Sequence, residues 1–467
     1  MSMKSVAIIG GGITGLTAAF NLQQRGVPVT LYEGSGRIGG VIRTVHEDDY
    51  LAECGPNTIL ETSPLIGQLI RDVDLESRQL YTDPAAEKRF LVRNKKLIEL
   101  PVSPLAFFGS RLFSWRAKAS LLAEPFRKRA AGDLEESLAD FVRRRLGGEF
   151  LDYAVNPFVA GVYAGDPEHL SVNHAFTKLY ELEQRYGSLI GGQIFGARER
   201  KRRGTISKQS AKKISFDKGL QVLTDRLGEK LGEQVQLNHS VKRITGDSEG
   251  WRVDFENAGI TSSSIHSSVL LALPAFRLAD LELHCQNKRV DMSLLGEIDY
   301  PPVTSVVLGF KQQDISHPLD GFGVLIPEVE GFNSLGSIFS SSLFPGRCPV
   351  GHLTFTSYIG GTRSPELALK EKDEIVRLVT EDLRVLVGLS GKPTYTHCFC
   401  WPRAIPQYNV GYGKFKMLME KTENRAAGVF IGGHCRDGIS LGDSIISGYN
   451  AAGRIENYIK STYRKYR

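Results

Sequence analysis

The residues whose spacing first suggests chemistry are glycines near the start of the chain. The apolar segment Val6–Ile9 is followed by a glycine-rich turn and then by Leu16–Leu22, a run typical of a helix. Such glycines allow a sharp bend, let backbone N–H groups approach a pyrophosphate, and let the helix pack closely on the strand. The turn consists of Gly10, Gly11, Gly12, Ile13, Thr14 and Gly15. It predicts dinucleotide binding, against the alternative of a plain strand–helix connection.

An acidic residue follows the second predicted strand, Val27–Tyr32. Glu33 lies about twenty residues beyond the turn, where a carboxylate can accept both hydroxyls of an adenosine ribose. A basic and glycine-rich segment comes next and suits a long dinucleotide whose diphosphate needs a second contact. The predicted cofactor positions in this segment are Arg37, Gly39, Gly40 and Val41.

The other end of the chain repeats the pattern of strand, glycines and helix. The strand Val429–Ile431 precedes two glycines, and a helix is predicted from Ser444 to about Ile459. A helix N-terminus can stabilise negative charge on a bound group. The candidate positions are Gly433, Ile439, Ser440 and Leu441. Both ends of the chain are therefore expected to build one domain.

The remaining predicted elements must position these cofactor segments and form the other side of a cavity beside the cofactor. Leucine spacing over Asp217–Leu231 predicts an amphipathic helix, and strands are predicted at Val235–Ile244, Trp251–Phe255 and Val269–Leu273. Residues 300 to 410 predict a mixed sheet at one side of a cavity, interrupted by a helix from Pro365 to Val387. The strands predicted there are Val303–Phe310, Gly323–Ile326, Ser337–Ser341, His352–Ile359 and Thr394–Cys400.

Basic residues concentrate in a region predicted to be helical, residues 101–203. From Arg111 to Arg129, six basic residues accompany one acid, Glu124, with Phe113, Trp115 and Phe126 interleaved. This pattern suits a peripheral contact with a membrane surface, while a helical domain with a solvated basic face is an equal alternative. The segment 198–213 is predicted to be a basic, mobile loop.

Composition narrows the class of protein. The chain has 467 residues, a net charge of +6, 41% hydrophobic and 24% charged residues. This length suits about three domains at roughly 150 residues each, and the composition excludes a disordered or fibrous protein. The excess charge is too small to imply nucleic acid. No apolar run approaches the ~18 residues of a membrane span. No export signal and no metal-binding cluster is recognised, so a cytoplasmic protein without a metal is expected.

The motifs around the predicted cofactor resemble the FAD-containing amine oxidase superfamily. Glu33, Arg37, Gly39 and Gly40 match its motif after the second strand, and the C-terminal glycines match the segment that closes over the flavin. A further segment resembles the part that passes beside the flavin ring, and Val241 matches a backbone contact to adenine. That segment is Glu53–Thr58, and its predicted cofactor positions are Gly55, Pro56, Asn57 and Thr58. The resemblance implies FAD and not NAD.

Several other stretches resemble the protoporphyrinogen oxidase family, more closely its plant mitochondrial form than its firmicute form. They include Asn156–Gly161, Gly321–Pro327, Ser340–Pro345 and Ile405–Tyr408. The resemblance implies a substrate site in which Arg89 pairs with a propionate, Leu325 and Ile338 enclose one ring, Tyr358 stacks on another, and the Gly161 carbonyl faces ring nitrogens. The family usually has phenylalanine at the Tyr358 position. Asn57 also departs from some members.

The resemblance further implies an α/β fold with three parts. These are a discontinuous Rossmann-like FAD-binding domain (1–85, 215–298, 410–467), a mixed-sheet substrate domain (86–100, 299–409) and a helical, membrane-associating domain (101–214). The expected reaction is the O2-dependent, six-electron oxidation of protoporphyrinogen IX with H2O2 release, with FAD N5 as hydride acceptor and no catalytic side chain. A homodimer is implied, peripheral on the inner face of the cytoplasmic membrane. Alternatives are coproporphyrinogen III oxidation, an amine oxidase or carotenoid desaturase, and a flavin-free prenyl-protein escort.

Overall fold

A parallel sheet of five strands is assembled from distant parts of the chain. The structure is a computed structural model that describes residues 5–129, 135–193 and 211–465. Its central strands Val6–Ile9 and Ser268–Leu271 are fully buried, which explains their nearly continuous apolar content. Their order is Val235–Gln236, Val29–Tyr32, Val6–Ile9, Ser268–Leu271 and Val429–Ile431. Helices Ile13–Gln24, Gln221–Leu231 and Leu441–Lys465 flank the sheet. The expected Rossmann-like α/β fold is thereby confirmed.

A mixed sheet of seven strands forms the second large unit. One face packs against the helix Lys372–Val387 through a core that includes Phe310 and Phe355. Strand Gly321–Leu325 pairs in parallel with Lys88–Arg93, while the other pairs are antiparallel. The order is Tyr395–Trp401, Val303–Lys311, His352–Gly360, Ser334–Ile338, Gly321–Leu325, Lys88–Arg93 and Lys96–Glu99.

Three smaller sheets complete the described β-structure. A five-stranded sheet has the order Ile260–His266, Gly250–Asn257, Ser240–Asp247, Glu282–Cys285 and Lys288–Val290. A three-stranded sheet joins Ile59–Leu60, Lys213–Phe216 and Gln79–Tyr81, and a hairpin joins Thr44–Glu47 to Tyr50–Glu53. Shorter helices connect these parts: Pro64–Asp72, Ala275–Asp280, Ser340–Leu343, Pro365–Ala368, Gly413–Arg425 and His434–Asp437.

The described residues between 101 and 193 are mainly helical, as predicted. Its basic residues are not all solvated, because Lys118 is buried and donates to the carbonyl oxygens of Phe108 and Ser110. Glu124 and Arg145 also form a fully buried ion pair. The helices are Pro104–Gly109, Trp115–Leu122, Leu138–Arg145, Gly148–Phe150, Asn156–Tyr163, Val172–Ala175 and Thr177–Tyr186. Within the described residues, no helix has the length and apolar character needed to cross a membrane.

Four predicted elements differ from the structure. The strand expected at Ser337–Ser341 lies at Ser334–Ile338, because the backbone leaves the extended conformation at Phe339 and the helix Ser340–Leu343 follows. The strand expected at Val235–Ile244 is broken where Asn238 adopts a left-handed backbone with φ of 59°, and its two parts join different sheets. The helix expected over Pro365–Val387 is two helices, because Glu371 has an extended backbone. The predicted basic loop lies mostly outside the described residues, but its last residue, Lys213, begins a strand.

Candidate functional site

In the glycine turn, a side chain would find open space at Gly12 but would collide with the backbone at Gly10 and Gly15. A Cβ at Gly10, whose φ is +110°, would lie 2.5 Å from the Ala272 carbonyl oxygen. One at Gly15 would lie 2.0 Å from the Gly10 carbonyl oxygen, so the helix packs directly on the turn. A Cβ at Gly12 would meet no atom within 4 Å. The backbone at Gly12 is thus accessible to a ligand, as a pyrophosphate site requires.

Glu33 is held at the edge of this turn. Its carboxylate accepts from the Gly11 N–H at 2.8 Å and from the Ser35 N–H and hydroxyl at 2.9 and 2.7 Å. The Glu33 carbonyl accepts from the N–H of His239 at 2.8 Å, two residues before Val241. The structure therefore places Glu33 and Val241 near one another, at the end of the turn where the adenosine is expected.

Arg37 shapes the loop that lies over the turn. Its guanidinium donates to the carbonyl oxygens of Gly40 and Ile42, and burial lowers its pKa. The N–H of Gly39 donates to the Gly11 carbonyl oxygen at 2.8 Å, which joins loop and turn. A contact between Arg37 and the diphosphate stays a prediction.

The C-terminal candidates lie at the start of the helix Leu441–Lys465. The Ser440 hydroxyl accepts from the Asp443 N–H at 3.1 Å, and the Thr14 hydroxyl donates to the Ser444 carbonyl oxygen at 3.0 Å. The first bond caps the helix, and the second connects the two ends of the chain at the glycine turn. The positions brought together here are Gly433, Ile439, Ser440 and Leu441.

The predicted substrate residues share one face of the seven-stranded sheet. Arg89 is paired with Gly323 and, through it, with Ile338; Leu325 is paired with Gly336 and, through it, with Tyr358. Residues two apart in a strand point to the same side, so Arg89, Leu325, Ile338 and Tyr358 all face away from the helix Lys372–Val387. A Cβ at Gly161 would lie 2.3 Å from Leu325 Cδ2, so the helix Asn156–Tyr163 closes on this face.

Tyr358 connects this face to the segment predicted to pass the flavin. Its buried hydroxyl accepts from the Asn57 side-chain amide and donates to the Gly55 carbonyl oxygen at 3.2 Å. Burial raises the pKa of Tyr358. A Cβ at Gly55 would lie 2.2 Å from the Val41 carbonyl oxygen, which brings Gly55, Pro56, Asn57 and Thr58 beside the loop over the glycine turn.

Two charged residues at the site were not among the predicted site residues, although Glu53 begins the segment expected to pass beside the flavin. A small cleft contains the buried side chains of Glu53 and Arg347, and its lining consists of Leu51, Glu53, Asn57, Ile338, Ser340, Leu343, Phe344, Arg347 and Thr356. Burial raises the pKa of Glu53 to about 7, although Leu220 N–H and the Thr44 hydroxyl donate to it. Arg347 belongs to no recognised motif, and the motif that begins at Glu53 gives no sign of its burial, so only the converging elements reveal the pair.

This geometry fits FAD. The open cradle at Gly12, the carboxylate at Glu33 and the helix N-terminus at Ser440 suit a dinucleotide, and the Asn57 segment lies between the cradle and the seven-stranded sheet. The model of the family "flavin containing amine oxidoreductase" matches residues 13–456. The chain belongs to this family. It is an FAD-dependent oxidoreductase.

Similar proteins add detail to the family assignment. Protoporphyrinogen oxidase 2 of Arabidopsis thaliana is 34% identical, and the match covers 99% of this chain and 95% of that protein. Coproporphyrinogen III oxidase of Bacillus subtilis is 28% identical over 98% of this chain and 99% of that protein. A crystal structure from Exiguobacterium sp. 255-15 shares the fold, with a TM-score of 0.80, 21% identity and coverage of 98% and 99%. None of these relatives supports a flavin-free escort protein.

Proposed function

We propose that this oxidoreductase converts protoporphyrinogen IX to protoporphyrin IX in three two-electron steps. Each step consumes one O2 and releases one H2O2. The observation that carries the proposal is the shared sheet face. Arg89 and an apolar surface lie on the same face as Tyr358, which is hydrogen-bonded to Asn57 of the predicted flavin segment. When bound, FAD supplies the hydride acceptor and passes the electrons to O2.

The residues of the chain bind and orient the substrate. Arg89 is half-buried and makes no side-chain hydrogen bond or ion pair with any described residue, so its guanidinium is available to a propionate. Leu325 and Ile338 provide an apolar surface that excludes water from the tetrapyrrole. The pyrrole nitrogen can supply electrons as a meso hydride leaves, so no strong protein base is required. Rate enhancement would come from positioning.

The decisive experiment supplies each porphyrinogen to the purified protein in air and follows porphyrin fluorescence. If neither substrate yields fluorescence, the proposal fails.

Arg89→Ala should raise KM about 10- to 100-fold, the equivalent of a lost charge-assisted contact of about 1.5–3 kcal/mol, with kcat within a few-fold. Lys88→Gln is a matched control, because Lys88 pairs with Asp320. A loss of kcat with KM unchanged would contradict the role of Arg89.

Coproporphyrinogen III is the second candidate substrate, with four propionates instead of two. Its support is the B. subtilis relative, which matches nearly the whole chain. A higher kcat/KM for coproporphyrinogen III in the same assay would make it the preferred substrate.

We also infer a cytoplasmic protein that contacts the inner face of the cytoplasmic membrane. The helical region exposes large apolar side chains next to exposed basic ones, Arg111 and Arg116. The apolar side chains are Val102, Leu105, Trp115, Leu122 and Phe126, which are 60–95% exposed. Co-sedimentation with anionic vesicles tests this, and the double variant Leu105→Ser/Phe126→Ser should remain in solution. If the protein never sediments with vesicles, the inference is wrong.

The inferred oligomer is a homodimer, on the strength of the family resemblance. Sedimentation velocity over a range of protein concentrations measures the mass directly, and a single monomeric species at all concentrations would contradict the dimer.

A further inference from the structure

A second cation lies near Arg89 at the rim of the candidate substrate site. Lys213 begins the middle strand of the three-stranded sheet, and its Nζ is 5.6 Å from the centre of the Phe322 ring. Phe322 occupies the irregular step between Gly321 and Gly323, and Gly323 is the residue paired with Arg89. Lys213 and Arg89 therefore reach the same edge of the seven-stranded sheet from two different sheets.

Neither cation is neutralised within the described part of the chain. Lys213 and Arg89 form no ion pair there, whereas neighbouring cations do: Lys88 with Asp320 at 2.5 Å, and Arg78 with Asp217 at 2.9 Å. Lys213 is half-buried, and burial together with the charge of Arg89 lowers its pKa, while Glu87 opposes this shift. Two partly desolvated like charges repel one another, and a bound carboxylate would relieve that repulsion.

Lys213 lies on the side of the strand Lys213–Phe216 that also contacts the cleft of Glu53 and Arg347. Ser215, two residues further on, points to the same side, and its hydroxyl accepts from Arg347 Nη2 at 2.7 Å. Arg347 lines the cleft together with Ile338 and Asn57. Lys213 thus stands on the side of the strand directed toward the predicted substrate.

We propose that Lys213 binds a second carboxylate of the porphyrinogen whose first carboxylate pairs with Arg89. The inference rests on the proposed function and extends it, because it makes Lys213 a specificity-determining residue for substrates with at least two carboxylates. A lysine ammonium is a compact charge on a flexible stem, so it can follow a mobile propionate.

Lys213→Gln tests the proposal against a matched variant of the adjacent residue. Lys212 is exposed, and its Nζ lies 4.9 Å from the ring of Tyr81, so Lys212→Gln removes the same charge outside the site. We expect Lys213→Gln to raise KM for protoporphyrinogen IX at least fivefold with kcat within twofold. Lys212→Gln should leave both constants unchanged, and Lys213→Arg should restore most of the affinity.

A binding measurement separates this proposal from the proposed function. Protoporphyrin IX should bind wild type at least fivefold more tightly than Lys213→Gln in a fluorescence titration, while its dimethyl ester should bind both equally. If wild type oxidises porphyrinogens but the Lys213 and Lys212 variants behave alike in both assays, the role of Lys213 is overturned and the oxidase function stands. If wild type oxidises neither porphyrinogen, the oxidase function fails, and a retained acid-specific difference still supports a carboxylate site at Lys213.

Discussion

Tyr358 stands where the protoporphyrinogen oxidase family usually has phenylalanine, and Asn57 differs from the residue in some members. The structure places these two side chains in contact. The Tyr358 hydroxyl is buried between the Asn57 amide and the Gly55 carbonyl oxygen. A buried hydroxyl without partners would be costly, so Asn57 makes tyrosine tolerable at a position where phenylalanine is usual. The contact also holds the Asn57 segment against the sheet that carries Arg89.

The two residues are expected to be energetically coupled. Tyr358→Phe and Asn57→Ala should each lower the free energy of unfolding by about 1 kcal/mol, because each removes the hydrogen bond between the two side chains while the Gly55 carbonyl oxygen keeps one donor. The double variant should lose less than the sum, with a coupling energy of about 0.5–2 kcal/mol. Urea unfolding of the four proteins measures the cycle. Strict additivity would show that the hydrogen bond contributes nothing to stability.

Glu53 should make stability depend on pH in a defined window. Its pKa is about 7 in the fold, against an ordinary value of 4.5, so between these pH values the folded form retains a proton that the unfolded form releases. The free energy of unfolding should therefore fall as pH rises from about 4.5 to about 7, and the contribution should level above that. The full effect is about 3 kcal/mol at 1.36 kcal/mol per pKa unit.

Glu53→Gln isolates this contribution, since an amide can accept from Leu220 N–H without titrating. Urea unfolding at pH 5, 6, 7 and 8 measures the unfolding free energies of wild type and the variant. As pH rises, wild type should lose stability relative to the variant. A difference that is constant over this range would mean that Glu53 is already ionised at pH 5.

Glycine serves two different purposes in the glycine turn, close packing at one position and access for a ligand at another. Gly15 has no room for a methyl group beside the Gly10 carbonyl oxygen, whereas Gly12 has open space within the protein. Gly15 therefore serves the packing of helix Ile13–Gln24 on its strand, and Gly12 serves the approach of a ligand.

Alanine at these two positions should have opposite consequences. Gly15→Ala should lower the unfolding free energy of the FAD-free protein by at least about 2 kcal/mol, since helix and strand must move apart. Gly12→Ala should leave that stability within about 0.5 kcal/mol, because its φ of −72° suits alanine, but should weaken FAD binding at least tenfold. Chemical denaturation and flavin fluorescence titration measure the two effects. Equal FAD affinity for wild type and Gly12→Ala would contradict the cradle.

The assembly of the chain from distant segments makes its last helix indispensable. Helix Leu441–Lys465 packs on helix Ile13–Gln24, and Ile445 and Ile455 are completely buried. A Cβ at Gly448 would lie 2.6 Å from the Thr14 carbonyl oxygen, which shows how closely the two helices approach.

Truncation should distinguish this helix from the residues beyond it. A chain ending at Ser440 should show neither cooperative unfolding nor a flavin spectrum after purification, because the apolar faces of the sheet and of the first helix become exposed. A chain ending at Lys460 should retain both, since it keeps every residue of the helix that is buried in the described part of the chain, up to Ile459. Flavin absorbance and thermal melting measure the outcome. A yellow, cooperatively folded chain ending at Ser440 would contradict this role.

Features that depend on neighbours along the chain were predictable from residue order. The glycine turn, Glu33 and the strand Val429–Ile431 follow from local steric and hydrogen-bonding needs, and the structure places them as expected. The predicted strand boundaries were wrong where one residue interrupts the pattern. Asn238, for example, adopts a left-handed backbone and breaks a stretch that otherwise reads as one strand.

The rest depends on which strands pair and in what register. Lys213, Glu53 and Arg347 lie in separate elements, and no spacing connects them to Arg89. Glu53 and Arg347 meet because separate elements converge on one cleft, and Lys213 approaches Arg89 because the irregular step at Phe322 aligns Gly323 with Arg89. Burial then decides their chemistry: it raises the pKa of Glu53 and lowers that of Lys213, and burial is a property of the packed chain alone.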